Sequence, residues 1–77
     1  MQQWEYLFVQ VQALNGGFTN HKPRYVNGKE LENWREGPSI DEYANLLGED
    51  GWELVSFTHI QASISLMSFM RPKTENA

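Results

Sequence analysis

The stretch IDEYANLLGEDGWELVSF, residues 40–57, decides how this chain folds. It reads as a short amphipathic helix, a glycine stop and a strand. At its start, Ser39-Ile40-Asp41-Glu42 matches a capping box. The Ser39 hydroxyl can accept from the Glu42 amide while the Glu42 carboxylate reaches back to the Ser39 amide. Acids in the first turn also suit the positive end of the helix dipole. Apolar residues then fall at Ile40, Tyr43, Ala44 and Leu47, the spacing of a helix with one buried face, and Leu46 flanks that stripe. Of two candidate stops, Gly51 is the better. Glu49 and Asp50 can still be helical, and a glycine there takes the left-handed position just before a strand. Gly48 then sits one turn after Ala44 on the packed face, where two small residues let a helix lie close to a sheet. The strand that follows, WELVSFTHI at residues 52–60, alternates. Trp52, Leu54, Ser56, Thr58 and Ile60 share one face; Glu53, Val55, Phe57 and His59 share the other.

Downstream, Gln61-Ala62 is a turn and SISLMSFM, residues 63–70, is a last strand. Ile64, Leu66 and Met70 fall on one of its faces, Met67 and Phe69 on the other. Pro72 ends it, since proline cannot donate to a ladder, and residues 73–77 form a polar, frayed tail. Upstream, WEYLFVQVQAL, residues 4–14, is rich in aromatic and β-branched residues and reads as a strand. One face carries Trp4, Tyr6, Phe8, Gln10 and Gln12. The other carries Glu5, Leu7, Val9, Val11 and Ala13. Asn15-Gly16-Gly17 breaks the strand. Asn27-Gly28 between Arg24-Tyr25-Val26 and Lys29-Glu30-Leu31 signals a small hairpin, because a type I′ turn needs positive φ at both central residues. ENWREGP, residues 32–38, is a polar loop anchored by Trp34.

The order strand, hairpin insert (about residues 20–38), helix, strand, strand specifies one small α+β domain over residues 1–77. It is an antiparallel sheet with one amphipathic helix packed on one face. Sequential strands tend to pair, so the last two form a hairpin. One helix covers one face only. Apolar side chains left on the other face make a patch of the kind that marks an interface. The alternative is that the 20–38 excursion folds across that face with Tyr25 and Trp34.

Composition narrows the function. A chain of 77 residues buries about 60% of the surface its unfolded form exposes, so its core is small. Domains of this size are usually supplemented by disulfides, a metal or a partner subunit. The sequence has no cysteine, which leaves disulfides and thiolate-bound zinc out and points to good local sequence or self-association. The net charge of −4 is the opposite of a nucleic-acid footprint. No apolar run approaches the roughly 20 residues of a membrane span. The opening MQQWEYLF lacks the charged start and apolar run of a secretory signal, so the expected setting is cytoplasmic.

Three segments carry a family resemblance: Trp4-Glu5-Tyr6 opening the first strand, Leu47-Gly48-x-x-Gly51-Trp52-Glu53-Leu54-Val55 in the middle, and Phe69-x-Arg71-Pro72-Lys73 at the end. Together they resemble domain-of-unknown-function family 4177, a family of small bacterial and phage proteins. The Gly-Trp-Glu-Leu-Val box is the specific part. The insert containing VNGKELENW departs from shorter relatives, which pass almost directly from first strand to helix. The resemblance implies a compact α+β fold with one helix on an antiparallel sheet, and no activity.

The residues themselves offer little chemistry. His21 and His59 have no close-spaced partner of the kind a metal site needs. Glu49, Asp50 and Glu53 do not match the spacing of a calcium loop, and Asp41 and Glu42 are explained by the helix start. A general acid–base pair would need a pocket and a shifted pKa, and the sequence announces neither. Lys22, Arg24, Lys29 and Arg35 lie near Tyr25 and Trp34, a mixture that could bind single-stranded nucleic acid. Glu30, Glu32 and Glu36 nearly balance that charge, so a solvated hairpin with Trp34 as packing anchor is the plainer reading. Trp4 and Trp52 are expected in core or interface. The reading is therefore a non-enzymatic interaction or self-associating module, without cofactor or metal, acting as a homodimer or with a protein partner. Its candidate surface is Tyr25, Trp34, Arg35, Leu7, Val9 and Val11. The alternative is a small-ligand or single-stranded nucleic-acid binder using Arg24, Tyr25, Trp34 and Arg35.

Overall fold

In the computed structural model, which describes residues 1–14 and 21–73, the chain forms a five-stranded antiparallel sheet with one helix. The strands are β1 (Trp4–Ala13), β2 (His21–Val26), β3 (Lys29–Glu30), β4 (Glu53–Gln61) and β5 (Ile64–Pro72). The helix α1 (Ile40–Glu49) lies between β3 and β4 in sequence, and a single 3₁₀ turn, Trp34–Glu36, precedes it. Among the described residues no helix is long and apolar enough to cross a membrane. The Asn15-Gly16-Gly17 break and the tail beyond Lys73 lie outside the described residues.

The spatial order is β3-β2-β1-β5-β4, which makes β1 central. Its partner β5 runs against it without a break, from Trp4 opposite Pro72 to Gln12 opposite Ile64. The face carrying Leu7, Val9 and Val11 meets Met67 and Phe69 of β5. Val9, Val11, Met67 and Phe69 form the fully buried core, and Ile40, Tyr43, Ala44 and Leu47 of α1 pack against it. These four helix residues are the stripe that the spacing predicts. Burial raises the pKa of Tyr43 above the ordinary phenol value.

Both helix ends follow from the sequence. Ser39 is the N-cap. Its backbone N–H donates to Glu42 Oε1 at 3.1 Å, while the Glu42 N–H reaches the Ser39 hydroxyl at 3.5 Å. At the far end Gly51 has φ +92°, its N–H donates to the Gly48 carbonyl, and the Trp52 N–H donates to Leu47. That pair of bonds is a Schellman motif, and Leu47 and Trp52 both pack against the core. Gly48 differs from expectation. It is exposed, and a Cβ built on it would meet nothing within 4 Å. It therefore contributes no close approach to the sheet, which rests on the Ala44 side of the helix.

Four details of the strands depart from the sequence reading. β2 begins at His21, earlier than the Asn-Gly signal suggests, and β3 is only two residues long. The turn between β4 and β5 is Ala62-Ser63 rather than Gln61-Ala62. In β4 an extra residue is accommodated between Leu54 and Ser56 and another between His59 and Gln61. These bulges reset the faces. Leu54 opposes Phe69 and Phe57 opposes Met67, so both lie on the helix side. Ser56 and Thr58 oppose Ser68 and Leu66 on the open side.

Candidate interaction surface

The 20–38 excursion does not fold across the free face of the sheet. β2 pairs edge to edge with β1, so the insert widens the sheet. The turn residues Asn27 and Gly28 have φ 50° and 84°, as a type I′ turn requires. Asn27 is also pinned to the central strand: its N–H donates to the Phe8 carbonyl at 2.8 Å, and its Oδ1 accepts from the Phe8 N–H at 2.9 Å.

The face opposite the helix is consequently open. Along β1 it presents Trp4, Tyr6 and Phe8, which are 44%, 56% and 47% exposed. Alternate residues on a strand stand about 6.7 Å apart, so the three rings form a row about 13 Å long. Pro72, Met70 and Ser68 lie directly opposite them on β5. Toward the other end the face turns polar. Gln10 and Gln12 oppose Tyr25 and Lys22 of β2, and the Gln12 side chain donates to Ser63 Oγ at 2.8 Å. Lys22 shares this face with Glu30 by register, and its Nζ donates to the Gly37 carbonyl at 2.7 Å, while Glu53 lies at the aromatic end, beside Met70.

The outer strand β4 is exposed along its whole length. Leu54, Val55, Phe57 and Ile60 retain 46%, 57%, 47% and 54% of their surface. The single helix packs over the core of β1 and β5 and leaves the side chains of this strand in water.

The expected surface residues fall into two groups. Leu7, Val9 and Val11 lie on the helix side. Val9 and Val11 are wholly buried, so they belong to the core and not to a surface. The pattern explains why. On β1 the uninterrupted apolar series Leu7, Val9, Val11, Ala13 goes under the helix, while the series that includes Gln10 and Gln12 faces out. That contrast was available in the sequence and identifies Trp4, Tyr6 and Phe8 as the exposed set. The second group, Arg24, Tyr25, Trp34 and Arg35, is brought together. The Arg24 guanidinium stands 4.7 Å from the Trp34 ring centre and 5.2 Å from that of Tyr25, and Arg35 stands 4.8 Å from Trp34. Arg24 also pairs with Glu30 at 2.8 Å. Trp34 is only 8% exposed, so its ring is a packing anchor already stacked against the chain's own arginines.

A third constellation lies where the first strand, the helix end and the last strand meet. Arg71 Nε donates to Glu5 Oε2 at 2.8 Å, and Nη1 donates to the Asp50 carbonyl at 2.6 Å and to its carboxylate at 3.3 Å. The guanidinium stands 4.2 Å from the centre of the Trp52 ring. The Glu5 hydrogen bond raises the Arg71 pKa further above its ordinary value. This clasp ties the Schellman end of the helix to the middle of the sheet, a structural role that accounts for all four residues.

His21 and His59 sit on β2 and β4, three strand spacings or about 14 Å apart. Among the described residues no three His, Cys, Asp or Glu side chains are grouped so as to hold a metal ion. Comparison with known proteins found no family model, no curated protein and no solved structure that matches this chain.

Proposed function

We propose that this chain is a non-enzymatic protein-association module whose open sheet face is covered by protein in its working state. The observation that carries this reading is the row of Trp4, Tyr6 and Phe8, each about half exposed on the central strand. Aromatic side chains bury roughly 150–250 Å² each when fully covered. The row therefore leaves on the order of 250 Å² of aromatic surface in water before Met70 and its neighbours are added. A contiguous apolar patch of this kind on a small domain marks an interaction site. Aromatic residues and methionine are also the types enriched at protein interfaces.

A nucleic-acid reading draws less support. The open face carries the acids Glu30 and Glu53 as well as Lys22, the whole chain carries −4, and Trp34, the ring flanked by two arginines, is buried. A cytoplasmic setting fits the cysteine-free composition. Membership of family 4177 is part of the same proposal. Its support is spatial: Glu5, Gly51-Trp52 and Arg71 come from the three segments that carry the resemblance, and they converge in the clasp around Arg71.

The test is native mass spectrometry of gently purified protein, with a Tyr6→Asp, Phe8→Asp variant alongside. The expected result is a wild-type species carrying added protein mass, of a second copy or another chain, that the variant loses while keeping its circular-dichroism spectrum. A wild type that runs as a bare monomer at every concentration, with tryptophan emission independent of concentration, would refute the proposal.

A further inference from the structure

We infer that β4 is a self-complementary edge, and that two copies of this chain pair β4 to β4 about a two-fold axis at Phe57. The inference goes beyond the association reading above: it concerns the sheet edge and leaves the open face for a further contact, and it names both the partner, a second copy, and the register.

The two edges of the sheet differ in kind. On the β3 side, β3 is two residues long and carries Lys29 and Glu30, and the rest of the margin, His21–Arg24 of β2, carries Lys22 and Pro23, features that blunt an edge. The β4 edge is nine residues long, contains neither lysine nor proline, and keeps Leu54, Val55, Phe57 and Ile60 about half exposed. Its two bulges leave the run from Ser56 to His59 regular, and a regular edge run presents a row of backbone donors and acceptors that another strand satisfies.

The sequence of β4 says which strand. ELVSFTHIQ reads almost the same in chemical type from either end. Antiparallel pairing about Phe57 sets Glu53 against Gln61, Leu54 against Ile60, Val55 against His59, Ser56 against Thr58, and Phe57 against its own copy. Nearly every rung is matched in kind: an acid with an amide, two branched aliphatics, two hydroxyls, two aromatics. Such cross-strand pairs are the favourable ones, and no like charges meet. An isologous two-fold contact needs a surface complementary to itself, and this strand meets that condition. The bulges fall at Val55 and Ile60, so the regular run from Ser56 to His59 contains the axis residue. An axis perpendicular to the sheet keeps both helices on one side and both aromatic rows on the other, yielding a ten-stranded sheet. The strip of four half-exposed side chains is modest beside a standard interface of about 800 Å² per partner, so the dimer should be concentration-dependent.

The experiment is sedimentation of wild type, Phe57→Lys and Phe57→Asp, each alone and the two variants mixed, with circular dichroism to check folding. The wild type is expected to dimerise with rising concentration. Each variant alone sets two like charges face to face and should remain a folded monomer, and an equimolar mixture should recover the dimer. Because the chain has no cysteine, Phe57→Cys supplies an independent readout. Directly opposed residues lie about 4.5–5.5 Å apart, within disulfide reach. Mild oxidation should link Phe57→Cys copies and leave Glu30→Cys on the β3 edge unlinked. A wild-type dimer that persists in Phe57→Lys and fails to crosslink through Phe57→Cys overturns the β4 pairing while leaving the association reading intact. A dimer abolished only by the Tyr6→Asp, Phe8→Asp variant does the same. A wild type that stays monomeric but carries another protein also overturns the pairing alone. A monomer that carries nothing overturns both.

Discussion

Gly51 and Gly48 stand three residues apart at the end of one helix, and substituting alanine at each should move stability in opposite directions. At Gly51 the backbone φ is +92°, and an added Cβ would meet only Arg71 Cδ at an ordinary 3.8 Å. There is no clash, so the cost is conformational. An L-residue forced into the left-handed region loses about 1–2 kcal/mol. The change also strains the two bonds that close the helix, from Trp52 to Leu47 and from Gly51 to Gly48. At Gly48 the residue is helical and exposed, with nothing within 4 Å of the position that an alanine methyl would take. Alanine there restricts the unfolded chain and should add about 0.5–1 kcal/mol. In a domain of this size 1 kcal/mol shifts the melting temperature by about 4–8 °C. Gly51→Ala should therefore melt roughly 4–16 °C below wild type and Gly48→Ala about 2–8 °C above it. The assay is thermal and urea unfolding followed by circular dichroism, with all three proteins at one concentration because association would shift apparent stability. A Gly51→Ala protein as stable as wild type would show that the helix does not end in the left-handed turn. A destabilised Gly48→Ala would show that Gly48 does lie against the sheet.

Two further substitutions test the anchors of the fold. Trp34→Ala removes a ring that is 8% exposed and should cost about 3–5 kcal/mol. That is comparable to the whole stability of so small a core, so the variant should lose its near-ultraviolet circular dichroism at 25 °C; a folded variant with an unchanged midpoint would return Trp34 to the role of a contact residue. Ser39→Ala removes the N-cap, and since the Glu42 N–H to hydroxyl distance is a long 3.5 Å the loss should fall near the low end of the usual range, about 0.5–1 kcal/mol. The Ser39 hydroxyl also donates to Asp41 Oδ1 at 2.6 Å and lowers the pKa of that carboxyl. A carboxyl with a lowered folded-state pKa contributes stability above its unfolded value, near 4, and loses it as pH falls through the folded value. The stability gap between wild type and Ser39→Ala should thus narrow in titrations below about pH 4. A gap of constant size from pH 7 to pH 3 would contradict the Asp41 contact.

Local chemistry made much of this fold legible. The capping box at Ser39, the stripe from Ile40 to Leu47, the Gly51 stop and the Asn27-Gly28 turn are each written in a few adjacent residues, and each appears in the structure. The face of β1 that the helix covers is written there too, but only in a contrast between its two alternating series. Leu7, Val9 and Val11 looked as available for a surface as Trp4, Tyr6 and Phe8, because both sets are apolar. The choice depends on the glutamines at Gln10 and Gln12, whose amides face out beside the aromatics. The faces of β4 were hidden for a different reason. Its alternation is regular in sequence, and the bulges arise from its fit against β5, a long-range property that no window of nine residues contains. The stacking of Arg24 and Arg35 on Trp34 likewise depends on how the loop returns along β2.

The hairpin between His21 and Glu30 also limits how far the sheet can grow. A β-sheet with two open edges can add copies indefinitely, which is the geometry of a fibril. Here one margin ends in a two-residue strand bearing Lys29 and Glu30, behind a turn whose Asn27 is hydrogen-bonded in both directions to Phe8. A sheet with a single growing edge can be extended once. Under the β4 pairing inferred above, the hairpin would act as a chain terminator and hold edge-to-edge assembly at two copies.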